Sequence, residues 1–289
     1  ASAFGMGMVW ILLAVTGIIG WVAKVTPASV TRGIQAALGV LLAMEAIKLL
    51  DTGWLLGGVS IGIVLALREN RYAPAAIVLV VLGAAVMFAN GQLGSVVPPG
   101  LSLPSITTFT LREVWDTLLL AGFAQIPLTI TNATIATAAL IKTYWPDRPV
   151  TARQLSWNQG IMNVVSPFFG GMPLCHGAGG LAGQYYFGAR TGGTNIIEGA
   201  IEISLGLFLA GSIAGIFSAF RAAIIGAMML LVGIELTKFV KDVRFGIDMI
   251  PLSVTLIIAT STNMAYGFLA GLASHYLISF LLADRAKNP

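Results

Sequence analysis

Gly170-Gly171-Met172-Pro173-Leu174-Cys175-His176-Gly177-Ala178-Gly179-Gly180-Leu181-Ala182-Gly183-Gln184-Tyr185-Tyr186 lies inside 36 residues, Gln154 to Ala189, that carry no formal charge. It holds too much glycine and proline to be one helix. It therefore has the character of a membrane segment interrupted partway. Pro173 disfavours the helical region for Met172 and has no N–H of its own, so Gly170 to Leu174 is expected to be extended, with a helix beginning near Cys175 or His176. Such a helix would start near mid-membrane with open backbone N–H groups. Lipid cannot satisfy them, and broken backbone survives at that depth only against protein or a water-filled cavity. A helix start carries about half a positive charge, so it can hold an anion without arginine or lysine. The expectation is an anion site within a transport protein.

Composition agrees with a membrane location. The chain has 57% apolar and 10% charged residues and a mean hydropathy of +0.89, far too little polar surface for a soluble domain of 289 residues. Long apolar runs, rather than alternating ten-residue strands, predict an all-α integral membrane protein and not a barrel. The single cysteine, Cys175, excludes an internal disulfide, and two histidines, His176 and His275, make no zinc site. No metal and no cofactor is expected. The pI of 9.4 reflects basic residues placed between apolar runs, a topology signal rather than a nucleic-acid surface.

The runs number eleven: Phe4–Ala23, Gly33–Leu50, Trp54–Leu67, Pro74–Ala89, Thr117–Ile141, Gln154–Phe169, the interrupted segment, Asn195–Phe217, Ala222–Leu236, Met249–Thr260 and Met264–Ala283. Arg68-Glu69-Asn70-Arg71 stops the third, and Pro127 interrupts the fifth. Asn90 to Thr110, with Gly94 and Pro98-Pro99-Gly100, is expected to be a surface loop before an amphipathic lead-in, Leu111 to Asp116. If crossings alternate, 13 of the 16 basic residues fall on one side and only Lys48, Arg112 and Arg221 on the other. Cytoplasmic loops hold the excess of lysine and arginine, so the C-terminus is expected to be cytoplasmic in a multi-pass protein of the cell membrane. Arg32 precedes Glu45 and Lys48 much as Arg221 precedes Glu235 and Lys238, with opposite orientation, which suggests an inverted repeat.

Polar residues at membrane depth are the candidate functional groups. Gln125, Thr129 and Asn132 are spaced four and three apart, hence on one helical face, and can either complete an anion shell or contact another helix. Glu198 and Glu202, one turn apart, are candidates for proton coupling, or for pairing with Arg190 or capping a helix. His176 is a further proton candidate, able to line the cavity or cap the half-helix. Cys175 and His176 are sequence neighbours that point apart, so they form no nucleophile–base pair, and no enzyme is expected. The alternative for the glycines is close helix packing; as a dinucleotide fingerprint, Gly177, Gly179 and Gly183 have the wrong spacing.

The run Gly171 to Tyr185, continued by Phe187-Gly188-Ala189-Arg190-Thr191-Gly192-Gly193, closely resembles the signature of the molybdate transporters related to the SulP sulfate permeases, and Gln125-Ile126-Pro127-Leu128-Thr129 with Asn132 resembles that family's first span of the second repeat. The resemblance implies seven plus seven inverted segments divided into core and gate, with a broken strand-plus-half-helix segment at the anion. On that pattern residues 1–111 correspond to segments four to seven of the first repeat and residues 112–289 to the complete second repeat, with three segments expected to precede the chain. The core would take about 1–25 and 112–217, the gate about 28–90 and 221–284. No cytoplasmic regulatory domain is expected after Pro289, as in the molybdate branch.

The expected function is secondary-active transport of a tetrahedral oxyanion, molybdate first and sulfate second, by alternating access. Gln125, Thr129 and Asn132 would bind it with Cys175, His176, Gly177, Ala178 and Gly179, the last five through backbone N–H groups. Expected partners are the anion, the lipid bilayer and a second copy in a homodimer, with no nucleic acid. A nucleobase or bicarbonate permease of the same fold is the alternative within transporters. A non-transporting membrane scaffold or subunit is the alternative outside them.

Overall fold

The computed structural model describes residues 1–67, 75–91, 100–119, 125–126 and 129–287. The charged stop at Arg68 to Arg71, Pro74, Gly94, Pro98-Pro99 and Pro127 lie outside the described residues. Among the described residues every regular element is helical.

In chain order these are α1 (Ser2–Thr16), α2 (Ile18–Val25), α3 (Ala28–Asp51), α4 (Trp54–Leu67), α5 (Ala75–Ala89) and α6 (Leu111–Thr117). A π-helical turn, Ile130–Ala136, runs directly into α7 (Thr137–Tyr144); α8 (Ala152–Val165) continues as a 3-10 turn, Ser166–Phe169. Then come α9 (Ala178–Tyr186), α10 (Gly193–Phe208), α11 (Ile213–Ala219), α12 (Ala222–Thr237) with a 3-10 turn Lys238–Asp242, α13 (Met249–Ser261) and α14 (Met264–Lys287). Three helices among the described residues are long and apolar enough to cross a membrane: Ala28–Asp51, Ala222–Asp242 and Met264–Leu282. Counting two bent pairs as spans makes five, and α4, α5 and α13 are shorter apolar helices.

Both bent pairs correct the expectation of unbroken spans. Phe4–Ala23 breaks at Gly17, whose φ of 76° ends α1 in the left-handed region, and α2 leaves at 72°. A side chain is disfavoured at that φ, so glycine sets the bend. Asn195–Phe217 breaks between α10 and α11, which meet at 117°. There the N–H groups of Ser212 and Ile213 both return to the Leu209 carbonyl, at 2.8 and 3.0 Å. The carbonyls of Leu207 and Phe208, left open at the helix end, accept from the N–H groups of Ser102 and Gly100, in the stretch before α6, at 2.7 and 3.0 Å.

The chain forms two compact units. One comprises Ala1–Leu41, Ser105–Leu181 and Glu235–Pro289. In it α1 crosses α8 where two glycines meet: a Cβ on Gly7 would lie 2.7 Å from the Val164 nitrogen, and one on Gly160 would lie 3.0 Å from the Ile11 nitrogen. Backbones at that distance need residues without side chains. Ser156 Oγ donates to the Trp10 carbonyl (2.9 Å) and Arg153 Nε to the Ala14 carbonyl (2.8 Å), tying the same pair of helices. Met6, Trp10, Val114 and Leu118 form a core, flanked by Phe4, Phe109 and Phe168 with ring centroids 5.2 to 5.8 Å apart.

The other unit comprises Leu42–Pro104 and Ala182–Ile234, with a core of Val64, Ala75, Leu79, Ile224 and Leu231. In this unit the Glu-x-x-Lys echo Glu45–Lys48 closes as an ion pair at 2.9 Å, and in the first unit Glu235–Lys238 closes at 2.7 Å. Large apolar side chains such as Leu55 (85% exposed) and Phe88 (74%) face outward, as surface solvated by lipid requires.

Candidate functional site

The interrupted segment begins as α8 ends. Pro167 opens the 3-10 turn and Gly170 closes it at φ 77°, with the Gly171 N–H returning to the Ser166 carbonyl at 3.0 Å. From Gly171 to Gly177 there is no regular secondary structure, and α9 starts at Ala178. The break is present as irregular backbone and not as the expected strand, since Gly170 is left-handed and not extended; the helix begins two to three residues later than Cys175 or His176. Two side chains explain the delay.

The first is Asn163, on α8 and 1% exposed. Its Nδ2 donates to the Leu174 carbonyl at 2.8 Å and its Oδ1 accepts from the Leu174 N–H at 2.8 Å, while Nδ2 also reaches the Gln159 carbonyl. The carboxamide thus satisfies both the donor and the acceptor of the Leu174 residue without a helix. The second is Thr137, whose Oγ1 donates to the His176 carbonyl at 3.0 Å. That carbonyl would be the acceptor for the Gly180 N–H in a helix begun earlier. The first helical bond instead runs from Leu181 N–H to the Gly177 carbonyl, at 3.1 Å. The N–H groups of Ala178, Gly179 and Gly180 precede that bond and are the open donors of the helix start.

Thr137 Oγ1 also lies 3.1 Å from the Asn132 carbonyl. One hydroxyl therefore brings together the π-helical turn holding Asn132 and the break holding His176. The Asn132 Oδ1 and Thr134 Oγ1 are buried with no hydrogen-bond partner among the described residues. Carboxamide O and N are interchangeable by a half-turn, so Asn132 can present its NH2 instead. Thr129 is half-buried and Gln125 exposed on the stretch leading into that turn. Cys175 is exposed and Gly177 half-buried, with nothing nearer to a Cβ on Gly177 than the Gly180 nitrogen at 3.9 Å.

The His176 imidazole is braced against α8. Nδ1 is 3.2 Å from Gln159 Oε1 and Nε2 is 2.7 Å from Asn158 Oδ1. A neutral ring donates to one of these oxygens, and a half-turn of the other carboxamide supplies a donor for the second nitrogen. Sequence reasoning missed Thr137, Asn158, Gln159 and Asn163. The signal available was the polar stripe Ser156, Gln159, Asn163, spaced three and four apart within an uncharged run.

The described partner of Glu198 is Gln184, whose Nε2 donates to it at 2.6 Å. Arg190 donates to the Tyr185 and Ala189 carbonyls and lies over the Tyr185 ring, 4.0 Å from its centroid. Glu202 is exposed on the same helix as Glu198. Among the described residues no group of three or more His, Cys, Asp or Glu side chains is placed to hold a metal ion.

The chain is 30% identical to "Molybdate transporter 1" of Arabidopsis thaliana, over 99% of this chain and 73% of that protein. Against "Molybdate transporter 2" of the same plant the identity is 31%, over 95% and 70%. The chain belongs to the molybdate transporter family. Within this molybdate transporter family member, residues 117–236 match the family described as "Molybdate transporter of MFS superfamily", which includes the break, Thr137 and Asn163. "Molybdate transporter 1" of Chlamydomonas reinhardtii is 36% identical over 69% of this chain and 40% of that protein. The fold aligns with the solved structure of SLC26A9 at a TM-score of 0.62 and 14% identity, over 97% of this chain and 50% of that one. The family member thus shares the SLC26 fold, and its family is one of transporters, not enzymes.

Proposed function

We propose that this chain is a secondary-active transporter of molybdate, with sulfate the second dianion it would accept, working by alternating access. The carrying observation is the open helix start at Ala178, Gly179 and Gly180 behind a non-helical run pinned by Asn163 and Thr137. Its neutral donors bind an oxyanion without a buried countercharge, so release stays accessible. The names of the plant and algal relatives favour molybdate.

In this proposal the anion meets the backbone N–H groups from Cys175 to Gly179 and on to Gly180, with Gln125, Thr129 and Asn132 completing the shell. The orphaned Asn132 carboxamide oxygen supports its part. His176, Glu198 and Glu202 are the proposed carriers of a coupled proton. The division into core (about 1–25 and 112–217) and gate (about 28–90 and 221–284), the homodimer, the cell-membrane location and the cytoplasmic C-terminus belong to the same proposal.

Uptake of radiolabelled molybdate into vesicles reconstituted with the chain tests it. Saturable uptake, competed by sulfate more weakly than by molybdate, is expected. Vesicles showing neither binding nor flux would favour a non-transporting subunit.

A further inference from the structure

The unit holding the break also contains a cavity of about 680 Å³ that none of the proposed oxyanion residues lines. Lys24, Lys142 and Arg153 line it together with Trp21, Ile135 and Ala139, and no aspartate or glutamate is among its lining residues. Arg153 is fixed by its bond to the Ala14 carbonyl, which leaves four of its five N–H donors. Lys24 and Lys142 take part in none of the ion pairs among the described residues.

One wall of this cavity is α2. It has eight residues, turned 72° from α1 at Gly17. Ile19 is fully buried, whereas Ile18 and Trp21 are 49% and 65% exposed, and Lys24 stands in the last turn. A short helix leaving a span at an angle, with tryptophan outward and lysine at its end, has the make-up of a segment lying at the membrane–water interface. Lys24, Lys142 and Arg153 all fall on the side that the distribution of basic residues makes cytoplasmic.

We infer that this cavity binds the phosphate headgroup of an anionic phospholipid of the cytoplasmic leaflet. Three cations with no acid among them attract a phosphodiester, and basic pockets between helices on this side suit anionic headgroups. The apolar walls and the outward Trp21 match the glycerol and acyl part of such a molecule. A free oxyanion has nothing to place against them.

Native mass spectrometry of the detergent-purified chain, given equal phosphatidylserine and phosphatidylcholine, tests this. Phosphatidylserine should be retained preferentially. Lys24→Ser and Lys142→Ser should each reduce that preference about fivefold. Lys24→Arg and Lys142→Arg should keep it, and so should Lys48→Ser, whose lysine pairs with Glu45 outside the cavity. Excess inorganic phosphate or molybdate should leave the lipid in place. The inference is overturned by an absent preference, by one that survives both serine variants, by equal loss in the arginine variants, or by displacement with either inorganic anion.

Discussion

Asn163 and Leu174 are joined by two hydrogen bonds of 2.8 Å, one in each direction, between a buried carboxamide and a main-chain peptide eleven positions on. Asparagine is suited to this because its side chain has a donor and an acceptor side by side. Leucine at 163 would leave the Leu174 N–H and C=O without partners, at about 1–3 kcal/mol for each group that stays dry. Asn163→Leu should therefore lower the thermal midpoint and weaken molybdate binding together. Asn163→Asp keeps the acceptor, loses the donor and places a charge in a buried position, so it should be no better. A variant with unaltered molybdate affinity in a calorimetric titration would remove the clamp from the site.

Gly177 has open space where a side chain would go, and the nearest atom is the Gly180 nitrogen. Gly177→Leu should cover that donor and abolish molybdate uptake while the chain still folds. Gly100 also has nothing within 4 Å of a Cβ, but it lies in a loop, and Gly100→Leu should transport normally. Equal loss in both, measured by uptake and by size-exclusion profile, would point to a folding defect.

Where α1 crosses α8 there is no such space. A Cβ on Gly7 would meet backbone atoms at 2.7, 2.8 and 2.9 Å, and backbone cannot rotate aside. Gly7→Ala should cost about 1–3 kcal/mol, the usual range for overpacking. Gly58→Ala in α4, with nothing within 4 Å, should be neutral or stabilising. Thermal unfolding in detergent separates the two.

Glu113 closes a capping box at the start of α6, accepting from the Thr110 N–H at 2.6 Å. That backbone bond, followed by the one from the Thr110 hydroxyl, holds its carboxyl below the ordinary value of 4.5. A lowered carboxylate pKa contributes stability that is present above the unfolded value and lost as pH falls through the folded one. Stability of the α6 start should thus decline as pH drops below about 4.5. Glu113→Gln preserves the box in uncharged form and should flatten this part of the profile, as followed by Trp115 fluorescence. An unchanged acid limb in the variant would exclude Glu113 as its source.

Much of this architecture was legible in the sequence. Trp54–Leu67 stands as expected because an uncharged run admits one structure in lipid, and Pro173 with its glycines marked the break. The Glu-x-x-Lys pairs close because residues three apart on a helix are neighbours. The exact start of α9 was not legible, since Thr137, 39 positions upstream of His176, engages the carbonyl that an earlier helix would use. Nor was the bend at Gly17, one of 34 glycines and marked by nothing but its observed φ. The clamp by Asn163 was visible only as a polar stripe whose partner no spacing names.

Anomalous diffraction at the molybdenum edge, from crystals of the chain soaked in molybdate, addresses the oxyanion site most directly. A molybdenum peak within hydrogen-bonding reach of the Ala178, Gly179 and Gly180 nitrogens is the expected result. A peak elsewhere, or none at saturating molybdate, would contradict it.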